Sequence, residues 1–198
     1  AFRLASLTKP IVTLAALRLV ASGAMSLSDP VSRWMPWFRP RTQAGDTPDI
    51  TVHHLLSHTS GLSYGLNEQP DADVHVHGVS DGLDLVEHTF PENLARLAKC
   101  QLRFEPGQGW RYSLSLDVLG HLMELVTQQA LDVLVHELVL APLGASSTGF
   151  RLPDGTSLAT PYVGTTDAPR PMTDGMLVDL PEGLGQAVRF AQIGRAHV

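Results

Sequence analysis

Helices dominate the fold this pattern predicts, and strands are expected to be short at most. Three observations carry that expectation: an apolar stretch from Pro10 to Val20, apolar residues at steps of three and four from Leu116 to Val126, and a stretch from Arg151 to Pro181 punctuated by Pro and Gly. The first two have the period of a buried helical face. The third is turn and loop chemistry. At 198 residues the chain has the length of one domain and can bury a core. Its apolar share of 43% and charged share of 17% are those of an ordinary globular protein.

The elements follow in chain order. Pro10 suits the first turn of a helix, where a missing N–H costs nothing, so the first helix is expected to start close to Ser6 and run to about Ser22. Gly23 is a plausible stop just beyond its end. Met25 to Pro30 reads as a turn, and Pro36, Pro40, Gly45 and Pro48 mark loop. Residues 50 to 56 open another helix with Thr51 as candidate N-cap. Residues 63 to 82, rich in Gly, Asp, His and Asn, read as an irregular surface excursion, and Phe90 to Leu102 as helix. Phe104-Glu105-Pro106-Gly107 is a tight turn. Ser113 or Ser115 is then expected to cap a helix carrying Leu116, Leu119, Met123 and Val126. A further helix carries Leu131, Leu134 and Leu138 and stops before Pro142. Val188 to Gln192 reads as the middle of another.

Composition narrows the function classes. The net charge of −6 comes from 14 basic and 20 acidic residues, and no basic run appears, so nucleic acid is not an expected partner. No apolar run reaches the length of a membrane span. The single cysteine, Cys100, excludes an internal disulfide. There is no Gly-rich phosphate loop and no G-x-S-x-G elbow. His75 and His77 invite a metal reading, but no carboxylate or cysteine cluster accompanies them at ligand spacing. No metal or cofactor is expected. His53, His54 and His58 read as structural, with His58 fixing its loop through backbone hydrogen bonds.

The chemistry-bearing candidate is Ser6-Leu7-Thr8-Lys9. A serine and a lysine three apart on a helix share one face, and a serine hydroxyl is a weak nucleophile until a base takes its proton. Lys9 and Lys99 are the two lysines of the chain. Ser6-x-x-Lys9 is joined by Gly23 to Val31, by His54-Leu55-Leu56-Ser57-His58-Thr59-Ser60-Gly61-Leu62, and by Phe104-Glu105-Pro106-Gly107 through Tyr112-Ser113. Pro142-Leu143-Gly144 and Thr148-Gly149-Phe150 extend the series. Together, in this order, these segments resemble the serine β-lactamase-like hydrolases, which include class C β-lactamases, D-alanyl carboxypeptidases and a group of esterases.

The resemblance implies an α+β fold of the β-lactamase/transpeptidase type, represented here mostly by its helical part, with much of the central antiparallel sheet missing. It implies that Ser6 is the acylated nucleophile, Lys9 its neighbouring lysine, and Tyr112 a partner in proton transfer, acting on a small ester or amide substrate. A free lysine titrates near 10.4 and a phenol near 10, so neither is a base at neutral pH unless its neighbours shift it. Such a pair would titrate as a unit.

Two departures from the family pattern matter. Its second motif is often Tyr-x-Asn, whereas Leu114 stands in the third position here. Leucine cannot hydrogen-bond a substrate amide, which favours an esterase over a β-lactamase or D-alanyl-D-alanine carboxypeptidase. A non-catalytic penicillin- or peptidoglycan-binding module is the third alternative, opposed by the intact Ser6, Lys9 and Tyr112. The family's Lys-Thr-Gly strand is also missing, as no lysine follows Lys99. Residues 1–192 are therefore expected to form a partial domain cut at both ends, with 193–198 a non-native tail. The 198 residues alone are expected to be inactive and marginally stable, because Leu14, Leu17 and Val20 would lose part of their cover.

Overall fold

The computed structural model describes residues 1–82, 87–164 and 167–172, together with the backbone of 177–178 and 188–189. Among them, α1 (Thr8–Ala21) continues a 3-10 turn, Ala5–Leu7, and ends at Ser22 with Gly23 at φ +78°. Its apolar face buries Val12, Ala15, Ala16 and Leu19. Leu14 and Leu17 stay 42% and 43% exposed, while Val20 is half-buried against the core.

Helix α2 (Val52–Leu56) starts where the sequence places it. Thr51 caps it: its Oγ1 accepts from His54 N, and His54 Nδ1 accepts in return from Thr51 N. The segment 63–82 departs from expectation. It holds a 3-10 turn, Gly65–Asn67, and the short helix α3 (Asp73–Val76), and it buries Tyr64, Glu68, Val74, Val79 and Ser80. It is part of the core wall, because its polar side chains bond inward. Helix α4 (Phe90–Leu97) carries a Thr89/Glu92 capping box and stops short of the expected Leu102. Leu102 N instead donates to Arg41 O at 2.7 Å, which draws the chain out of the helix.

The central element is α5 (Ser115–Thr127), which packs against α1, α2 and α6 (Leu131–Val135). It is buried more widely than its amphipathic pattern suggested, with Val118, Leu119, Leu122 and Met123 all at 0% exposure. A helix covered on several faces is apolar on several faces. Helix α6 runs into a wider π turn, His136–Leu140. Two short antiparallel pairs follow: β1 (Tyr162–Val163) with β2 (Arg170–Pro171), and β3 (Leu177–Val178) with β4 (Val188–Arg189). Val188 and Arg189 are thus strand rather than helix, their backbone paired with β3. Residues 190–198, including the expected tail, lie outside the described residues.

A backbone zipper holds the middle of the molecule. Residues 58–63 run beside residues 103–114 through Arg103 N to Gly61 O, Gly107 N to Thr59 O, Arg111 N to His58 O and Leu114 N to Ser63 O, at 2.8, 2.8, 2.9 and 3.2 Å. Gly61 is required there. Its φ is +81°, and a Cβ would collide with the backbone oxygen of Phe104. Gly61→Ala should therefore destabilise the protein by about 2 kcal/mol or more. Gly45→Ala, at φ +92° with nothing within 4 Å, should cost about 1 kcal/mol. Urea unfolding midpoints of the two variants check the difference.

Candidate active site

Ser6 sits at the middle of the Ala5–Leu7 turn that feeds α1. Ala5 takes φ +44°, a left-handed conformation that costs a residue with a Cβ about 1–2 kcal/mol. No sequence signal pointed to that kink. It leaves Ser6 on the surface while Lys9, one turn on, is only 8% exposed. The first N–H groups of such a turn have no intrahelical partner, and the positive end of the helix dipole favours an anion in the same space.

The Tyr112 hydroxyl donates to Ser6 Oγ at 2.7 Å. Lys9 Nζ stands 5.1 Å from the Tyr112 ring centroid and 5.9 Å from that of Tyr64, an ammonium over two aromatic faces. The two tyrosine rings are 5.6 Å apart. The structure thus brings Ser6, Lys9 and Tyr112 into one cluster and adds Tyr64, which the sequence reading passed over. Tyr64 is fixed by Asp81: its hydroxyl donates to the Asp81 backbone oxygen, and the Asp81 carboxylate accepts from Gly65 N and Leu66 N, at 3.1, 2.8 and 2.9 Å.

His58 supports Tyr112 from behind the zipper. Its ring centroid lies 4.9 Å from that of Tyr112, and its Nδ1 accepts from Ser113 N at 3.3 Å. Burial, followed by the charge of Lys9, pushes the imidazole down to about 4, so the ring is neutral at pH 7. The Ser113 and Ser115 hydroxyls, expected as helix caps, are taken into a buried chain instead. Ser113 Oγ lies 2.7 Å from Ser115 Oγ, which lies 2.8 Å from Ser60 Oγ. Leu114 occupies the N-cap position of α5 with its side chain in the core. Buried Glu68 anchors the wall of the site, taking Arg111 at 2.9 Å, Arg103 at 3.4 Å and the Ser63 hydroxyl.

Asp117, on the first turn of α5, also escaped the sequence reading. It is 3% exposed, and its Oδ2 has no hydrogen-bond partner. Burial pushes its carboxyl up to about 7, Lys9 pulls it back down, and Asp81 adds to the rise. The available signal was a single charge inside the apolar run Leu116 to Met123. Other candidates are quiet. Among the described residues no group of three or more His, Cys, Asp or Glu could hold a metal. Burial, with Asp73, pushes the Cys100 thiol up to about 12, too high for a nucleophile at neutral pH.

The fold and the Ser-x-x-Lys/Tyr cluster define a class, and the comparisons agree: the chain belongs to the β-lactamase family, whose model matches residues 1–193. The described part is mostly the helical portion of the β-lactamase/transpeptidase-like fold, with a small amount of antiparallel sheet. Among its relatives is Esterase EstB of Burkholderia gladioli, 52% identical over 96% of this chain and 48% of the relative. Among solved structures, EstCE1, described as a hydrolase with promiscuous acyltransferase activity, superposes with a TM-score of 0.90 at 44% identity, covering 96% of this chain and 50% of that one. A D-stereospecific amidohydrolase from Streptomyces sp. gives 0.56 at 30% identity, covering 79% and 47%. The chain spans about half the length of these proteins.

His58 and Asp117 act oppositely on stability. The folded His58 midpoint, about 4, lies below its ordinary 6.5, so the stability it contributes is full above pH 6.5 and is lost as pH falls towards 4. The folded Asp117 midpoint, about 7, lies above its ordinary 3.8. Its contribution is therefore full below pH 3.8 and is lost as pH rises through 7. His58→Asn, which tolerates the left-handed φ of +56° at this position, should remove the acid-side loss. Its urea midpoint, measured from pH 6.5 to 4, should fall less with acidification than that of the parent. An unchanged slope would contradict a neutral buried His58.

Proposed function

We propose that the protein is an esterase-type serine hydrolase that works through an acyl-serine intermediate. The observation that carries this reading is the 2.7 Å hydrogen bond between the Tyr112 hydroxyl and Ser6 Oγ, with Lys9 beside the tyrosine ring. Ser6 Oγ attacks the ester carbonyl, and its proton passes to the Lys9–Tyr112 pair. The tetrahedral oxyanion collects at the N-terminal turn, where backbone N–H groups and the helix dipole stabilise it. Collapse of the intermediate expels the alcohol, which takes the proton back from the pair. Water then attacks the acyl-serine and regenerates Ser6, with the same pair as base and then acid.

Ester rather than amide substrates are favoured by Leu114. With its side chain in the core, it offers no amide-recognising group in the position where the lactamase pattern has Asn. Homology to an esterase at 52% identity points the same way. An acyl-serine can also pass its acyl group to an alcohol, as the description of EstCE1 suggests for that enzyme. The 30% identical amidohydrolase supports amide cleavage as the second reading.

The test uses the full-length protein, a fluorophosphonate probe, a p-nitrophenyl ester and a fluorescent penicillin. The ester should be turned over, and the probe should label Ser6. Ser6→Ala should abolish both, and Tyr112→Phe should lower kcat about 10²–10⁴-fold with a smaller change in KM. Stable labelling by the penicillin with no ester turnover would replace the esterase reading with a penicillin-binding one.

A further inference from the structure

Each tyrosine of the site follows a residue that is tied to the same buried carboxylate. Ser63 precedes Tyr64, and Arg111 precedes Tyr112. The Ser63 hydroxyl donates to Glu68 Oε1, and Arg111 Nη2 stands 2.9 Å from that same oxygen. Arg103 Nη2 lies 3.4 Å from Oε2. Glu68 is 4% exposed and follows the Gly65–Asn67 turn, where its N–H donates to Gly65 O at 3.0 Å. The same turn holds the arginine a second time, as Arg111 Nη2 donates to Asn67 O at 2.8 Å.

The main-chain bonds of the zipper set the register of its two segments, with Arg111 N on His58 O and Leu114 N on Ser63 O. Glu68 adds a side-chain cross-tie between those segments, at the residues next to the two tyrosines. Across that tie the Tyr64 and Tyr112 rings lie 5.6 Å apart with Lys9 over both, and the Tyr112 hydroxyl reaches Ser6 Oγ at 2.7 Å. Neutralising the arginines does not explain the burial of Glu68. The Arg103 and Arg111 side chains are 49% and 32% exposed, so water can solvate them. Enclosing a carboxylate, by contrast, costs more than a surface ion pair returns.

We propose that Glu68 is a positioning residue of the active site: through Ser63 and Arg111 it locks the two zipper segments together, so that the Tyr112 hydroxyl meets Ser6 Oγ at hydrogen-bond distance. The proposal rests on the esterase reading above. The role is geometric, and Glu68 takes no part in proton transfer. A displacement of about 1 Å in a reacting group can cost about 10²-fold in rate, so a small relaxation of the clamp is enough to register in kcat.

The experiment measures kcat and KM for p-nitrophenyl butyrate in the full-length protein, in two backgrounds, the parent and Tyr112→Phe. In the parent, Glu68→Ala should lower kcat about 10–100-fold and move KM by less than about threefold. In Tyr112→Phe there is no hydroxyl to place, so Glu68→Ala should change kcat by less than about threefold. A loss by the same factor in both backgrounds would mean that the variant is only less folded. A Glu68→Ala enzyme with the parent's kcat would mean that the clamp does not place the tyrosine. Either result overturns the proposal and leaves the esterase reading intact. A parent that neither labels at Ser6 nor turns over ester overturns the esterase reading instead. If Glu68→Ala does not fold, Arg111→Met takes its place and cuts the clamp at its partly exposed end. The same selective loss of kcat is expected, again confined to the background that has the Tyr112 hydroxyl, and a parental kcat in Arg111→Met overturns the proposal.

Discussion

The hydrogen bond from Tyr112 to Ser6 joins residues 106 positions apart in sequence, and the rest of the structure is arranged so that this bond can form. One end depends on the kink at Ala5, which sets Ser6 at the head of α1. The other depends on the zipper between residues 58–63 and 103–114, which delivers Tyr112 at a fixed height beside α1. A bond of this kind contributes only about 1 kcal/mol net. It cannot assemble the site by itself. The apolar packing of α5 against α1 and α2 supplies the rigidity, and the bond reports that the two ends have been brought into register.

Electrostatics then decide what the cluster can do. Among the described residues its cation, Lys9, stands over the rings of Tyr64 and Tyr112, near a neutral His58 and a buried Asp117. Each neighbour limits where a proton can rest. His58 gives up its proton because burial and Lys9 both oppose a second positive charge. Asp117 resists ionisation because it is enclosed, yet Lys9 draws it towards the charged form. The serine chain Ser60–Ser115–Ser113 satisfies the polar atoms beneath the tyrosine without adding charge. Low dielectric makes these terms larger than they would be at the surface, and it makes unpaired groups costly in equal measure.

What could be read from sequence was local. Pro10, the apolar run of α1, the Thr51 cap and the period of α5 each depend on nearest neighbours, and each gave its element. The catalytic candidates were legible because Ser6 and Lys9 lie one turn apart and Tyr112 follows a recognisable turn. Where long-range partners decide conformation, the reading failed. Ser113 and Ser115 look like caps, but Ser60 and His58, more than fifty residues away, take their hydroxyls. Residues 63–82 look solvated by composition, yet Asp81 and Glu68 turn inward to Gly65, Leu66 and two arginines. Leu102 looks helical until Arg41 O claims its N–H. Asp117 showed only as a charge in an apolar run, and its burial could not be seen before α5 was packed into the core.

The account's central claim is that Lys9 and Tyr112 form one proton-transfer unit serving Ser6. A double-mutant cycle in the full-length protein tests it most directly, with kcat/KM for a p-nitrophenyl ester measured in Lys9→Ala, in Tyr112→Phe and in the two combined. Residues that act as a unit give strongly non-additive losses, so the double variant should lie within about tenfold of the worse single variant. A double variant whose loss equals the product of the two single losses would show that Lys9 and Tyr112 contribute independently, and would contradict the shared unit.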